Sequence, residues 1–369
     1  MAATARPLTS TMSHRFSPPL QYAKTADGLN IAFLTVGEGP TIVFASNIWG
    51  DAHEYRHLAW HYAHGIANGL AAAGWRVVLY DVRGMGSSDR PPVDWSLDGR
   101  VQDLEAVVAR IGVQEFALVA VDIGAPTAMA YAVRHPQRVT RLVLLSPWVN
   151  GAEMFDLPDL KVAARAMTNG AREWQVFTTV LANVATGFKD SERSRELAAS
   201  MQLSSTAEGL AEYYRTSAEI DLASLLPQVS VPTLVVHFPA FPFGSQDLCQ
   251  QVAKGIRDAQ FVVVEDSSIG GAVHDGSIRA IDSFVRGSNA VAPPRPRAPT
   301  PTGESLTDRE AEVLARLAAG LTNKEIATAL GISVPTVERH LSNLYSKIGA
   351  RSRVDATTYA MRHGLVAPR

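Results

Sequence analysis

Short apolar runs alternate with longer amphipathic segments through the first three quarters of the chain. The clearest runs are Trp75–Asp81, Phe116–Val121, Arg141–Ser146, Pro232–His237 and Gln260–Glu265. None of them shows the polar alternation of a strand that has one face in water. Continuous apolar runs of this length are typical of strands buried on both faces of a parallel sheet. The pattern therefore predicts a parallel sheet that is covered on both sides.

Segments of helical period separate these strands. They lie near residues 56–72, 97–111, 125–134, 246–257 and 277–286. Ahead of them, two extended runs within Ala23–Val36 meet at Asp27-Gly28, which is a β-hairpin signal. Strands that alternate with helices predict a doubly wound α/β layer. Residues 151–228 interrupt the alternation with helical patterns alone, so we expect a helical lid there.

A proline-rich stretch predicts a domain boundary. Residues 290–303, AVAPPRPRAPTPTG, hold five prolines and no apolar period. This composition favours extended polyproline II backbone, which acts as a semi-stiff spacer. The predicted division is an N-terminal tail (1–22), an α/β domain (23–287), a linker (288–303) and a separate all-α domain (304–369).

The all-α domain has the pattern of a helix-turn-helix. Thr307 and Glu310 form a capping-box signal at the start of a first helix. Gly331 predicts a tight turn after a second helix, and Ser333 is a candidate cap for a third. The apolar residues of the third helix, Val337, Leu341, Leu344 and Ile348, recur on one face and predict a buried stripe.

The opposite face of the third helix is polar and suits the major groove of double-stranded DNA. Arg339 and Ser342 point away from the buried stripe, with Glu338 beside them. Arginine can bond guanine O6 and N7, and glutamate can accept a hydrogen bond from cytosine N4. The flanking residues Lys324, Thr336, His340 and Lys347 are better placed for phosphates, which position a protein without reading sequence.

The same segment resembles the LuxR/FixJ-type DNA-binding domain over nearly its whole length. The matching positions are Leu306-Thr307-Asp308-Arg309-Glu310, Gly320, Asn323, Lys324, Ile326, Ala327, Ser333, Thr336, Val337, His340, Lys347 and Arg351-Ser352-Arg353. The resemblance implies a bacterial transcription regulator that binds promoter DNA as a homodimer, partly through a fourth helix at Ser352–His363. It also implies that Glu338, Arg339 and Ser342 read bases. Glu338 stands where relatives often have Lys, so the resemblance does not supply an operator sequence.

Composition and charge add to this interpretation. The 46% hydrophobic and 19% charged content excludes a disordered chain, a coiled coil and a collagen-like fibre. Residues 288–369 carry a net charge of +4 and residues 1–287 a net charge of −6, as expected for a module that faces nucleic acid on an acidic body. A lone cysteine, Cys249, suits a reducing compartment and excludes a disulfide scaffold and a cysteine-based zinc site, and no apolar run is long enough to span a membrane. We therefore expect a cytoplasmic protein without membrane contact, and we expect neither a metal nor a cofactor.

Two further segments resemble the α/β-hydrolase fold across residues 23–287. The stretch Asp81–Asp89 (DVRGMGSSD) matches a D-x-R-G-x-G-x-S-D segment. Asp122-Ile123-Gly124 follows the second strand run, where the family has its nucleophile elbow, a sharp strand-to-helix turn. The resemblance implies Asp122 as the nucleophile position, as in epoxide hydrolases and haloalkane dehalogenases.

The acid, the histidine and the oxyanion segment that such a hydrolase needs are not matched in this sequence. The family usually has an Asp soon after the strand at 232–237, but Phe238–Phe243 is entirely apolar. The first histidine after the last strand is His274, later than usual. The oxyanion segment, Ser46-Asn47-Ile48-Trp49, preserves only Trp49. An Asp ester needs a positioned base to activate water, so these departures disfavour turnover.

Three functions of the α/β domain stay open on the sequence. It is a sensor for a small, largely apolar effector, with Asp122 as polar anchor and Trp49, Ile123 and Trp148 in the pocket. Alternatively it is a true hydrolase or dehalogenase that uses Asp122 with His274, and Asp247 or Asp275 as acidic partner. The third hypothesis is an inert dimerisation scaffold. We favour the sensor.

Overall fold

The computed structural model divides the chain into two compact units that meet between Val291 and Ala292. In the first unit the structure describes residues 18–45, 62–90, 93–157, 171–186, 191–239, 241, 243–265 and 275–287. In the second it describes residues 306–318, 321, 323–334, 336–337, 340–341, 344, 347, 356 and 359–360. No helix of these described residues is long and apolar enough to cross a membrane.

The first unit is built on a sheet of eight strands. They are β1 (Gln21–Lys24), β2 (Asn30–Val36), β3 (Thr41–Ala45), β4 (Arg76–Tyr80), β5 (Phe116–Val121), β6 (Val139–Leu145), β7 (Thr233–His237) and β8 (Gln260–Val263). Their order is β1-β2-β4-β3-β5-β6-β7-β8. Along this order, the β1/β2 and β2/β4 pairs are antiparallel, and every later pair, from β4/β3 to β7/β8, is parallel. Strands β4 to β7 are buried almost throughout, as their continuous apolar runs predicted, and so is β3. The same prediction is wrong for β8, because this edge strand has one buried residue and three that are exposed or half-buried.

Helices cover the sheet and fill the segment between β6 and β7. They are α1 (Tyr62–Ala72), α2 (Leu97–Ile111), α3 (Ala125–Arg134), α4 (Gly151–Phe155), α5 (Ala171–Ala185), α6 (Ser191–Ser204), α7 (Ala207–Ala218), α8 (Gln246–Gly255) and α9 (Asp275–Val285). The predicted hairpin is confirmed, because β1 pairs antiparallel with β2 across a turn in which Gly28 has φ +93°. Helices α4 to α7 occupy the region where only helical patterns were seen.

A buried arginine joins α7, one of the helices between β6 and β7, to α2. Arg100 of α2 donates to Ser217 Oγ at 2.9 Å, to Thr216 Oγ1 at 2.9 Å and to the Tyr213 carbonyl at 3.3 Å, all on α7. Its guanidinium carbon also lies 3.9 Å from the centroid of the Tyr213 ring. These contacts hold α7 at a fixed place above the sheet edge.

The second unit has its own small core. Helices α10 (Asp308–Ala318) and α11 (Asn323–Leu330) lie ahead of a helical segment that includes residues 336–337, 340–341, 344 and 347. Its buried core residues are Val313, Leu314, Leu317, Ile326, Ala327, Val337, Leu341, Leu344, Ala356 and Ala360. The predicted stripe is confirmed for its first three members, while Ile348 lies outside the described residues. Gly331 has φ +63°, which agrees with the predicted turn.

Candidate functional site: a buried polar cluster at the elbow and a helix-turn-helix

Asp122 occupies the tight turn between β5 and α3. The strand ends at Val121, a single 3-10 turn spans Asp122–Gly124, and α3 begins at Ala125. Asp122 has φ +47°, a left-handed conformation that a non-glycine residue adopts only where the surrounding structure demands it. Its side chain is buried, and its Oδ1 atom has no hydrogen-bond partner among the described residues. This is the geometry of an elbow that projects one side chain above the sheet.

The environment of Asp122 favours its protonated form. Burial raises the pKa of this carboxyl group from 3.8 to about 8. The backbone N–H of Ile123 and the nearby indole of Trp148 lower the pKa, but by less than burial raises it. The indole N–H lies close enough to act on the carboxyl group and still lacks the geometry of an ordinary hydrogen bond. Because the pKa lies above 7, Asp122 is mostly a neutral carboxylic acid at neutral pH.

Ser146 stands beside Asp122 at the same sheet edge. Strands β5 and β6 are parallel neighbours, with Val121 opposite Leu145, so the residues that follow them are adjacent. Ser146 repeats the backbone conformation of Asp122, with φ +50°. Its Oγ atom is buried and has no hydrogen-bond partner within the described structure. Two neighbouring strands thus end in left-handed, buried, polar residues.

Aromatic residues of the lid form a cluster over this edge. Tyr213 reaches from α7 and donates its hydroxyl to the Ile123 carbonyl at 3.4 Å. The ring centroid of Tyr214 lies 5.1 Å from that of Phe155 and 6.5 Å from that of Phe177. Trp174 stacks on Phe177 at 5.7 Å. The pKa of Tyr214 is raised well above its ordinary value by burial and by the nearby Asp122, which places its phenol close to that carboxyl group.

The strand that follows, β7, ends in a histidine rather than an acid. His237 is buried, and its Nδ1 atom lies 3.8 Å from Cys249 Sγ. Burial, with a smaller contribution from Asp122, raises the pKa of Cys249 to about 12, so the thiol stays protonated. Burial also lowers the pKa of His237. Among the described residues, no histidine and no second carboxyl group contributes to the pKa of Asp122.

Two residues of the predicted pocket lie outside the described residues, namely Trp49 and His274. The structure therefore leaves untested whether His274 approaches Asp122. Ile123 and Trp148 are both buried beside Asp122, and their place in a ligand pocket stays a prediction. No group of three His, Cys, Asp or Glu side chains in the described part of the chain could hold a metal ion.

In the second unit the predicted capping box is present. Glu310 N donates to Thr307 Oγ1 at 3.3 Å, and Thr307 N donates to Glu310 Oε2 at 2.9 Å. The same carboxylate pairs with Lys347 Nζ at 2.9 Å, so it also joins the first helix to the third. Lys347, predicted as a phosphate contact, is thus half-buried in an ion pair. Its contact with DNA stays a prediction.

The other predicted DNA contacts are only partly described. Ser333 is exposed and starts the third helix, because its carbonyl accepts from Thr336 N at 3.0 Å and from Val337 N at 3.1 Å. Its hydroxyl lies 2.8 Å from Thr336 Oγ1. His340 is half-buried. Glu338, Arg339 and Ser342 lie outside the described residues, as does the side chain of Lys324.

Comparisons with known proteins agree with both units. Residues 49–267, over half of the chain, match the family described as alpha/beta hydrolase fold. Residues 304–360 match the bacterial regulatory proteins of the luxR family. The chain belongs to the alpha/beta hydrolase fold family and carries a luxR-family DNA-binding regulatory domain.

Two relatives among characterised proteins match the luxR-family domain of this chain. It is 52% identical over 60 residues to the transcriptional regulatory protein LnrK of Bacillus subtilis (strain 168), covering 16% of this chain and 27% of that protein. It is 44% identical over 63 residues to the response regulator protein VraR of Staphylococcus aureus (strain NCTC 8325 / PS 47), covering 17% and 30%. The chain thus spans less than a third of the length of these two relatives.

Solved structures share the fold of the alpha/beta hydrolase domain. The esterase EaEST from Exiguobacterium antarcticum superposes with a TM-score of 0.61 at 16% identity, covering 72% of this chain and 98% of that one. The enol-lactonase from Burkholderia xenovorans LB400 gives a TM-score of 0.56 at 21% identity, covering 72% and 97%. Identities this low show the shared fold and carry no information about the substrate.

The sequence analysis missed Ser146 and His237 as site residues. The signal for both was available, because each stands at the carboxyl end of a predicted strand. Parallel strands bring these ends to one edge, where ligands bind in open α/β sheets. The left-handed backbone of Ser146 gave no such signal, since serine is not a residue that ordinarily marks positive φ.

Proposed function

We propose that this chain is a ligand-responsive transcription regulator that binds double-stranded promoter DNA. The luxR-family domain supplies the DNA contact, with Arg339 and Glu338 reading bases and Ser342 beside them. The alpha/beta hydrolase domain binds a small, largely apolar effector next to Asp122. The protein acts as a homodimer, and its effector favours one arrangement of the two DNA-binding modules by differential affinity.

The sensor part of this proposal rests on one observation, the protonation state of the Asp122 carboxyl group. An Asp nucleophile must be ionised to attack carbon, and burial raises the pKa of Asp122 to about 8. No described histidine or second carboxyl group contributes to the pKa of Asp122, so none favours its ionised form. A buried neutral carboxyl group under aromatic side chains is better suited to holding a ligand than to cleaving one.

The DNA-binding half is tested by footprinting on the promoter of the chain's own operon. We expect Arg339→Ala to weaken binding to the cognate site by about 1–3 kcal/mol and to relax base preference there. Lys324→Ala, as the matched control, should weaken specific and non-specific DNA alike, because a phosphate contact carries no sequence information. Binding to no promoter fragment at any salt concentration would overturn the proposal.

A second function is favoured by one observation, the left-handed elbow geometry of Asp122. In this alternative the Asp122 carboxylate attacks an electrophilic carbon, displaces a halide or opens an epoxide, and water activated by His274 hydrolyses the resulting ester. A panel of epoxides, haloacids and aryl esters tests it. Repeated turnover that Asp122→Asn abolishes supports the alternative. Thermal stabilisation by a panel member without product, and without a mass increase on Asp122, contradicts it.

A further inference from the structure

Three buried polar groups meet at the elbow without partners. They are Asp122 Oδ1, Ser146 Oγ and Trp148 Nε1, in side chains that are 4%, 2% and 1% exposed. Leaving a buried polar atom unbonded costs about 1–3 kcal/mol each, so such atoms are rare in native proteins. Three of them at one sheet edge are therefore an unusual feature that a bound molecule would explain.

The three groups lie within reach of a single ligand. Asp122 and Ser146 follow adjacent parallel strands, which are separated by about 4.8 Å. Trp148 follows Ser146 by two residues, and its indole is near enough to Asp122 to change the pKa of that group. Tyr214, whose pKa is raised in part by Asp122, packs its ring on those of Phe155 and Phe177.

We propose that Ser146, Trp148 and Asp122 form a three-point anchor for an uncharged, largely apolar molecule that offers an oxygen acceptor, such as a ketone, amide or ester carbonyl. This inference rests on the proposed sensor function and names the chemistry of its ligand. Ser146 is the member of the anchor that no family resemblance assigns.

The donor and acceptor inventory excludes an amine ligand. An indole N–H is a donor only, and a hydroxyl needs an acceptor for its proton. An ammonium group brings three donors and no acceptor, so it leaves Trp148 Nε1 unbonded. A carbonyl oxygen has two lone pairs and accepts from Trp148 and Ser146 together.

The charges around the anchor exclude an anionic ligand. A buried carboxylate needs a cation close to it. Among the described residues, the buried cation near this part of the fold is Arg100, which already bonds the Trp95 carbonyl at 3.0 Å, the two hydroxyls of α7 and the Tyr213 carbonyl. The protonated state of Asp122 likewise suits a neutral partner.

Four probes of one size test the proposal on the full-length protein. They are acetophenone, 1-phenylethylamine, benzoate and ethylbenzene, which present a carbonyl, an ammonium, a carboxylate and no polar group. Binding is measured by ligand-observed nuclear magnetic resonance at millimolar concentration. We expect acetophenone to bind more tightly than ethylbenzene by about three- to tenfold per hydrogen bond formed, and the two charged probes to bind more weakly than either.

Variants separate the anchor from a general apolar site. Ser146→Ala and Trp148→Phe should each raise the Kd of acetophenone about three- to tenfold and leave that of ethylbenzene unchanged. Thr233→Val is the matched control, because it removes a buried hydroxyl at the opposite end of β7. It should change neither Kd.

The unfavourable results differ from those that end the sensor hypothesis. Preference for benzoate or 1-phenylethylamine, or equal effects of Ser146→Ala on acetophenone and ethylbenzene, overturns the anchor and leaves ligand binding by this domain standing. Binding of no probe overturns the anchor as well. The promoter footprint, repeated with and without extract from the native cells, decides the sensor function independently.

Discussion

Two buried polar groups at the same sheet edge have opposite surroundings. After β4, Arg83 is wholly buried and pairs with Asp103 at 2.9 Å and Asp27 at 2.9 Å. After β5, Asp122 is equally buried, but no cation balances it and its Oδ1 atom has no partner in the described structure. The charge of Arg83 is balanced inside the fold by two carboxylates, although its Nη2 atom pairs with Asp103 without the geometry of a hydrogen bond. Asp122 has no such counter-charge among the described residues.

The two motifs that the sequence analysis found in the α/β domain, the Asp81–Asp89 segment and the elbow at Asp122, therefore differ in how their polar groups are bonded. The Asp81–Asp89 segment is structural, since Ser88 Oγ donates to the Asp81 carbonyl at 2.7 Å and accepts from Ala32 N at 2.9 Å. Asp89 in turn accepts from Asn30 N at 2.8 Å. The elbow residues make few such bonds. Satisfied polar networks fix a fold, whereas unsatisfied ones mark a functional site.

The largest effect is expected where a buried pair is broken. Arg83→Met leaves Asp103 buried without its cation, so we expect the free energy of unfolding to fall by about 3–5 kcal/mol. All six tryptophans precede residue 175, so denaturation followed by tryptophan fluorescence reports this unit alone. The double variant Arg83→Met/Asp103→Leu should recover part of the loss. A loss below about 1 kcal/mol, the value of a surface ion pair, would contradict the structural role.

A smaller, pH-dependent effect is expected at Asp122. Its pKa is raised from 3.8 to about 8, so the folded state holds a proton that the unfolded state releases. The contribution of Asp122 to the free energy of unfolding is therefore greatest at low pH. It falls as pH rises, by up to about 1.4 kcal/mol per pH unit, until Asp122 ionises in the folded state. Asp122→Asn cannot titrate, so the difference in unfolding free energy between variant and wild type should grow in favour of the variant between about pH 5 and 8.

The pH comparison needs only the difference between two curves. Other titrating groups act equally on both proteins and cancel. Parallel curves for wild type and Asp122→Asn across this window would mean that Asp122 is ionised in the folded state. That result would revive the nucleophile alternative, since an ionised Asp122 is the reactive form.

The smallest effect separates two serines directly. Ser88→Ala removes a hydroxyl with two partners, so we expect a loss of about 1–3 kcal/mol in the free energy of unfolding. Ser146→Ala removes a hydroxyl without a partner in the described structure, so we expect no loss and a gain of up to about 1 kcal/mol. Equal losses for the two variants, measured by the same fluorescence assay, would show that Ser146 has a structural partner after all.

Local patterns in the sequence predicted the elements well. Continuous apolar runs marked β4 to β8, and the capping box at Thr307 and Glu310 marked the start of α10. Both signals act over a few neighbouring residues, so no knowledge of the tertiary structure is needed to read them. The elbow position of Asp122 was likewise found from its place after a strand.

Contacts between distant residues were not predictable in the same way. Lys347 was assigned to DNA, and the structure pairs it with Glu310, which lies 37 positions earlier. The left-handed backbone of Ser146 and the lack of a partner for its buried hydroxyl were not predictable, because both depend on what strands β5 and β6 place together. The position of α7 depends on Arg100, more than a hundred residues away in sequence.

Periodicity and turn chemistry in the sequence predicted most of the strands and helices, because both are local, and the resemblance to the α/β-hydrolase fold placed Asp122 at the elbow. Only the tertiary structure decided the electrostatic character of that residue. The pKa of a carboxyl group depends on how much water and how many partners the whole fold leaves around it. For Asp122 the described environment is apolar and crowded and holds no cation, so burial favours the neutral form of its carboxyl group.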